Sequence, residues 1–204
     1  MDAQQDSRVL LGSRAPAEDP ERGDGSFRGL DPRNLVDEFK GLPVDTIREL
    51  LGGRRRAFAT LILNIDRDFN ISTIVRTHNA FCGQEIFYLG RRKYNRRGCV
   101  GTYIYENITH FSTLEEALKG VPADYTWIGI DNRPGAVPIQ EFEWPAKPLL
   151  VFGQEREGLD FLPQLPYHCN QVLKIPQAGS TRSLNVGVAA GIAMYDLCTK
   201  KEWL

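Results

Sequence analysis

Short apolar runs of strand length alternate along the chain with segments whose apolar residues recur at helical spacing. Five runs are almost entirely apolar and predict strands: 57–64, 85–90, 125–131, 148–153 and 171–176. Strands that are apolar throughout are typical of a parallel sheet covered on both faces, because neither face then meets water. The intervening segments predict helices at 71–81, 112–120, 157–165 and 184–200. This alternation predicts an α/β fold with helices on both faces of the sheet.

The first 56 residues have a different character. Residues 1–30 mix Gln, Asp, Glu, Arg, Gly and Ser with few large apolar side chains, which predicts a disordered tail. The segment 31–56 predicts a short helical extension, since Pro43 suits a helix start and Gly52 a helix end. We therefore expect the folded domain to span residues 57–204.

Composition and charge exclude several classes of protein. The 204 residues are 42% hydrophobic, which is enough for one substantial core. The net charge of −1 excludes a uniformly basic surface but allows a local basic face. No apolar stretch reaches the roughly 20 residues of a membrane span, and residues 1–30 lack the apolar part of a secretory signal. Neither the four cysteines nor the three histidines have metal-site spacing. We expect a cytoplasmic protein with reduced thiols, without membrane or metal partners.

The two common phosphate-binding motifs are absent. The chain has no GxxxxGK[ST], and no GxGxxG follows the first predicted strand, which disfavours a P-loop nucleotidase and a Rossmann oxidoreductase. In open parallel sheets, ligands bind beyond the carboxyl ends of the strands. Three predicted strand ends here lead into loops rich in polar residues, two of which also contain glycines, so these loops are the candidate site.

Each of the three loops also has an ordinary structural explanation. In "NISTIVRT" (70–77), Asn70 suits a helix N-cap and Arg76 lies about two turns further on, where it could simply be solvated. In "LVFGQEREGL" (150–159), two glycines bracket a strand-to-helix connection. In "IPQAGSTRSLNVGVAAGIAMYDL" (175–197), Ser183 and Asn185 could cap a core helix that is rich in small residues and allows close packing.

Together, and in this order, the three segments resemble the three motifs of the SpoU/TrmH branch of the SPOUT RNA methyltransferases. The resemblance covers about residues 57–199. It implies transfer of a methyl group from S-adenosylmethionine to a ribose 2′-hydroxyl of tRNA or rRNA. It also implies a sheet of about six strands, a deep C-terminal trefoil knot of the SPOUT fold, and a homodimer with active sites near the interface.

The resemblance also assigns site residues by motif position. It implies a catalytic set of Asn70, Arg76, Glu155, Ser183 and Asn185. It implies a cofactor-binding set of Val151, Phe152, Gly153, Gly158, Ile175, Pro176, Ser183, Leu184 and Asn185. The third loop departs from the family pattern, because it reads "QAGSTR" where many relatives carry a Met and fewer polar groups. Arg182 thereby adds a charge beside the site.

Clustered cations suggest where RNA would be held. The loop "LGRRKYNRRG" (89–98) places an aromatic side chain, Tyr94, among five cations, which suits phosphate contacts and base stacking. The alternative is an ordinary solvated loop. With "GGRRR" (52–56) and the third motif, the predicted RNA contacts are Arg54, Arg55, Arg56, Arg91, Arg92, Arg96, Arg97 and Arg182.

Two alternatives within the same fold stay open. One is a knotted RNA-binding homologue without turnover, and the other is a SPOUT enzyme that methylates a base nitrogen. The segment before Ala57 is too short and polar for the separate RNA-binding domain that some relatives carry. We therefore expect target recognition to use the knotted domain, its dimer partner and the short N-terminal helices.

Overall fold

A computed structural model describes residues 35–64, 69–154 and 157–204, so the predicted tail at 1–30 lies outside the described residues. These residues form seven strands: β1 Arg56–Asn64, β2 Gly83–Gly90, β3 Ile108–Phe111, β4 Thr126–Ile130, β5 Val137–Pro138, β6 Pro148–Phe152 and β7 Gln171–Lys174. They form one sheet in the order β3-β2-β1-β6-β4-β7-β5, and every strand pair within the described residues is parallel. The α/β prediction is confirmed, with seven strands instead of about six.

In the described part of the chain, five α-helices accompany the sheet: α1 Val44–Gly52, α2 Phe69–Ala80, α3 Leu114–Gly120, α4 Leu165–His168 and α5 Val186–Lys200. The helical extension before β1 consists of α1 and a 3₁₀ turn at Asp37–Phe39. The Thr113 side chain caps α3 by accepting a hydrogen bond from the Glu116 amide at 3.2 Å. Within the described part of the chain, no helix has the length and hydropathy needed to cross a membrane.

Alternate residues of β1 face opposite sides of the sheet, as its pleat requires. Phe58 and Ile62 pack into one apolar cluster with residues of α2 and α5, whereas Ala59 and Leu61 pack into a second cluster with residues of α4. All four side chains are at most 2% exposed. Full burial of a side chain of the size of Phe or Leu contributes about 1.5–3 kcal/mol, so β1 stabilises both layers at once.

The small residues of α5 let it lie close against α2. A Cβ added at Gly187 would lie 2.9 Å from Thr73 Cγ2, and one added at Gly191 would lie 3.9 Å from Thr77 Cγ2. Successive positions of one helix therefore meet successive positions of the other, so the two helices run side by side in the same direction. A larger residue at Gly187 would separate them.

A buried polar cluster fixes the C-terminal part of α2 at the edge of the sheet where β1 begins. The Arg55 guanidinium donates to the Glu106 carboxylate at 2.6 Å, and these side chains are 4% and 0% exposed. Asn79 donates to the same carboxylate at 2.6 Å. His78 Nδ1 lies 2.7 Å from Thr60 Oγ1. Burial, followed by the Arg55 charge, lowers the pKa of His78 to about 3, so this histidine is neutral at physiological pH.

Candidate active site

Four neighbouring strands, β1, β6, β4 and β7, end along one edge of the sheet, and all three motif loops begin there. The first loop leads from β1 into α2, the second follows β6, and the third leads from β7 into α5. Parallel strands place their carboxyl ends on one side, which is where open α/β sheets bind ligands. The loop after β4 enters the same edge between the second and third loops.

One hydrogen bond joins the first motif to the third. Asn185 Nδ2 donates to Asn70 Oδ1 at 2.9 Å, although the two residues are 115 positions apart. The Asn185 side-chain oxygen also accepts from the amides of Gly187 at 2.9 Å and Val188 at 3.3 Å, which caps α5 as predicted. Asn70 itself is not a cap, because α2 begins at Phe69 and Asn70 lies in the first turn. The start of each helix is thus fixed relative to the other.

Ser183 does not cap α5, contrary to the prediction. Its side chain is exposed, and its carbonyl accepts a hydrogen bond from the Thr181 hydroxyl at 3.1 Å. The helix begins at Val186, so only Asn185 is adjacent to its free amides. The Ser183 hydroxyl therefore faces solvent next to the site rather than stabilising the helix.

Arg76 lies on the exposed side of α2, six residues after Asn70. At 1.5 Å per residue, this spacing places it about 9 Å further along the helix axis. The Thr73 and Thr77 side chains on the same helix lie against α5, so Arg76 emerges next to the line along which α2 and α5 meet. A substrate at this surface could be reached by the Arg76 guanidinium without any change in the core.

In the second motif, Gly153 and Gly158 lie in contact, and we call this contact the glycine turn. Gln154 and Gly158 exchange both backbone hydrogen bonds, at 3.1 and 2.9 Å. A Cβ added at Gly153 would lie 2.0 Å from the carbonyl carbon of Gly158, so only glycine allows this contact. Gly158 has a φ of 59°, in the left-handed region that disfavours side chains. The predicted catalytic residue Glu155 lies outside the described residues.

Two residues of the predicted cofactor set do not fit a ligand-binding role. Val151 and Phe152 are 0% and 1% exposed, and their side chains pack into the two core clusters. Both lie in β6, which pairs with β1 on one side and β4 on the other, so no edge of this strand is open to a ligand. The cofactor-binding residues that the geometry still allows are Gly153, Gly158, Ile175, Pro176, Ser183, Leu184 and Asn185.

Sequence reasoning missed three polar residues at this edge. Gln177 Oε1, in the third loop, is a buried oxygen that accepts no hydrogen bond from the described residues. Asp131 and Asn132 directly follow β4 and contact the second and third loops respectively, through Leu159 and Arg182. Their only signal in the sequence is a polar pair after an apolar run, and Asp131 was included in the predicted strand.

The basic loop after β2 is ordered against α2 beside the candidate site. The Ser72 hydroxyl donates to the Asn95 carbonyl, and Asn95 in turn caps a 3₁₀ turn by accepting from the Arg97 amide at 3.0 Å. The Arg96 guanidinium lies 4.8 Å from the centre of the Tyr103 ring, a cation–π arrangement. The exposed cations that this loop presents are Arg91, Arg92, Lys93 and Arg97.

Arg54, Arg55 and Arg56 lie where β1 begins, at the opposite edge of the sheet. Arg55 belongs to the buried cluster with Glu106, so it is not available to RNA, contrary to the prediction. Arg54 donates to the Glu38 carboxylate at 2.6 Å, and Arg56 donates to the Trp203 carbonyl at 2.9 Å. The nine residues of β1 put about 26 Å between these arginines and the site. Arg182, by contrast, is exposed in the third loop.

A model of the SpoU rRNA methylase family matches residues 58–195, which is more than half of the chain. The chain belongs to this family. The match spans all three motif loops and the contact between Asn70 and Asn185. The described residues of this SpoU family member contain no group of three or more His, Cys, Asp or Glu side chains that could hold a metal ion.

Named relatives and solved structures agree with the assignment to the SpoU family. An uncharacterized tRNA/rRNA methyltransferase from Mycolicibacterium gilvum is 27% identical over 166 residues, which are 78% of this chain and 52% of the relative. The chain thus spans about half the length of that relative. A tRNA (guanosine(18)-2′-O)-methyltransferase from Aquifex aeolicus is 27% identical over 165 residues, 76% of this chain and 75% of the relative.

Solved structures share the fold of this SpoU family member. The A. aeolicus TrmH/SpoU tRNA modifying enzyme superposes with a TM-score of 0.68 at 24% identity, covering 78% of this chain and 82% of that one. The SpoU methyltransferase AviRb from Streptomyces viridochromogenes, in complex with the cofactor AdoMet, has a TM-score of 0.63 at 22% identity, covering 72% of this chain and 59% of that one.

Proposed function

We propose that this protein transfers a methyl group from S-adenosylmethionine to a ribose 2′-hydroxyl of tRNA or rRNA. The observation that carries the proposal is the hydrogen bond between Asn70 and Asn185, which brings the first and third motifs of the SpoU family together. The A. aeolicus relative is a tRNA 2′-O-methyltransferase by name. A second relative, from Acinetobacter baylyi, is a 23S rRNA (guanosine-2′-O-)-methyltransferase, 39% identical over 66 residues, 32% of this chain and 26% of the relative.

The residues at the carboxyl edge suit S-adenosylmethionine chemically. Ile175 and Leu184 are half-buried apolar side chains that could contact the adenine, and Gln177 Oε1 is a buried acceptor that could receive an amine or hydroxyl donor. Gly153 and Gly158 place no side chain between their own backbone and a ligand. When bound, the cofactor supplies an electrophilic methyl group on a sulfonium.

The protein has to orient the ribose hydroxyl and allow its proton to leave. A guanidinium is a poor proton acceptor but a strong planar donor, so we assign Arg76 the role of orienting the hydroxyl or a neighbouring phosphate. The proton then passes to water or to an RNA phosphate. Asn70 and Asn185 hold the two helix starts in register, and the exposed Ser183 hydroxyl supplies a further hydrogen bond at the same edge.

An exposed apolar stripe supports a homodimer. Val188, Ile192 and Tyr195 recur on one face of α5 and are 52%, 38% and 59% exposed, and Phe69 at the start of α2 is 62% exposed. Contiguous exposed apolar surface of this kind marks protein interfaces. Because α5 lies beside α2, a second copy seated on the stripe would lie next to Arg76, so each active site would be completed at the interface.

We further propose that the chain after β7 is threaded as the trefoil knot that the family implies. The third loop has to pass from β7, which lies between β4 and β5, to the face that carries α2 and α5. A cytoplasmic location also suits the chain, because Cys82, Cys99, Cys169 and Cys198 all have free thiols in the structure.

The decisive experiment incubates the purified protein with methyl-labelled S-adenosylmethionine and bulk tRNA or rRNA. We expect label in alkali-resistant dinucleotides, because a 2′-O-methyl group blocks cleavage of the adjacent phosphodiester. Label in the mononucleotides that alkali releases would instead show methylated bases and support the base-methylating alternative. Cofactor binding without any transfer would support the RNA-binding homologue. Absence of cofactor binding by calorimetry would overturn the proposal.

The basic loop is expected to hold the RNA backbone. The double variant Arg91→Glu/Arg97→Glu should weaken RNA binding at least tenfold and lower the slope of log K against log salt by about 1.4–1.8, since each lost phosphate contact removes roughly 0.7–0.9. The matched control, Lys40→Glu/Lys119→Glu, makes the same charge change at exposed sites elsewhere and should retain most of the affinity and slope. Equal effects of the two double variants in a salt titration would contradict this assignment.

A further inference from the structure

The loop after β4 lies between the two loops that the proposed cofactor would contact. In the sheet, β4 is the strand between β6 and β7. Asp131 and Asn132 are the first two residues after β4, and the Asp131 amide donates to the Leu173 carbonyl of β7 at 2.9 Å. This backbone bond anchors the pair to the sheet, from which the two side chains reach in different directions.

Asp131 holds the glycine turn of the second motif. Its Oδ2 accepts from the Leu159 amide at 3.0 Å, and this amide opens the short 3₁₀ helix Leu159–Phe161. Helix starts leave amides unpaired unless a side chain caps them, and the preceding residue, Gly158, has no side chain to do so. Leu159 is 0% exposed, so water is a poor substitute. Asp131 therefore caps this turn from a different strand.

The fit between the carboxylate and the turn is close. A Cβ added at Gly158 would lie 2.5 Å from Asp131 Oδ2, so Gly158 permits the carboxylate to approach the turn. Gly158 is also in contact with Gly153. The Asp131 carboxylate thus fixes the position of both glycines through one contact.

Asn132 holds the third motif. Its Nδ2 donates to the Arg182 carbonyl at 3.1 Å, one residue before Ser183 and three before Asn185. Adjacent residues of one strand end therefore contact both loops, and the distance between the loops depends on this pair. Without these side-chain contacts, the two loops would be connected only through flexible backbone, and the distance between them would vary more.

We propose that Asp131 and Asn132 are a positioning pair that sets the spacing of the second and third motif loops for binding of the methyl donor. The proposal rests on the proposed function, since it assigns these loops to S-adenosylmethionine. The pair acts through the loops and not on the reacting atoms. Its loss should therefore weaken donor binding while leaving turnover at saturating donor nearly unchanged.

Calorimetry with S-adenosylmethionine and steady-state kinetics test the proposal. Asp131→Ala should weaken donor binding at least tenfold and change kcat at saturating donor less than threefold, whereas Asp131→Asn keeps an acceptor and should bind within about threefold of wild type. The matched control is Asp124→Ala, which removes an exposed carboxylate near the opposite end of β4 and should leave donor binding unchanged. Unchanged donor binding in Asp131→Ala would overturn the proposal.

A second variant and a second measurement distinguish failure of this proposal from misfolding of Asp131→Ala and from failure of the proposed function. Asn132 is exposed, so Asn132→Ala should fold even if Asp131→Ala does not, and it should weaken donor binding at least threefold. Wild-type protein that binds no S-adenosylmethionine would overturn the proposed function alone. Amide exchange of Leu159 without donor then decides the role of Asp131. Faster exchange in Asp131→Ala than in Asp124→Ala, with Asp131→Asn in between, supports that role, and equal exchange in Asp131→Ala and Asp124→Ala overturns it.

Discussion

Arg76→Lys is expected to lower the rate of methyl transfer at least tenfold while leaving donor affinity within about twofold of wild type. Lysine keeps the positive charge but lacks the planar fork of donors that could hold a hydroxyl and a phosphate together. A tenfold loss corresponds to about 1.4 kcal/mol of transition-state stabilisation. The side chain is exposed on α2, so the substitution should leave the core and the melting temperature unchanged.

Single-turnover measurements at saturating donor and RNA separate this effect from binding. The matched control is Arg48→Lys, because Arg48 is also an exposed arginine on a helix, where its Nε donates to the Ile104 carbonyl at 2.7 Å. That control should retain nearly the full rate of transfer. Near-normal transfer by Arg76→Lys would argue against any geometric role of the guanidinium.

Ile192→Lys is expected to convert the proposed homodimer into monomers and to abolish most methyl transfer. Ile192 is central in the exposed stripe of α5, between Val188 and Tyr195. An unpaired charge buried at an apolar interface costs several kcal/mol, which corresponds to at least a hundredfold weaker association. Because the stripe lies next to Arg76, separation of the subunits should also leave each active site incomplete.

Sedimentation velocity measures this change, and Leu118→Lys on α3 is the matched control. Leu118 is 39% exposed and Ile192 is 38% exposed, so the two substitutions introduce the same charge at equally accessible positions. The control should remain dimeric and active. A wild-type protein that sediments as a monomer, or an Ile192→Lys variant that sediments as a dimer, would contradict the proposed interface.

The sequence pattern predicted the central strands well and the edge strands poorly. Strands such as β1 and β6 are buried on both faces, so their composition is nearly all apolar and stands out from the surrounding segments. In contrast, β3 and β5 are short and only half-buried, and β5 ends in a proline. Edge strands of this kind are stabilised by pairing with a neighbour, which no local pattern reveals.

The candidate site was predictable where a residue acts locally and unpredictable where it acts across the fold. Asn185 caps the helix that follows it, so the residues next to it in the sequence indicate its role. Asp131 caps a turn 28 residues later, and Arg55 pairs with a carboxylate 51 residues later. The residues next to them in the sequence therefore indicate neither contact. For this reason Asp131 was missed and Arg55 was assigned to RNA incorrectly.

The hydrogen bond between Asn70 and Asn185 also has a consequence for synthesis of the chain. Translation adds about 5–20 residues per second, so roughly 6–23 s pass between the incorporation of the two asparagines. During that interval the nascent chain contains Asn70 but not yet Asn185, so the first and third motifs cannot come together. Under the proposed function, methyl transfer therefore becomes possible only once α5 has been made, and a truncated product ending before α5 is expected to be inactive.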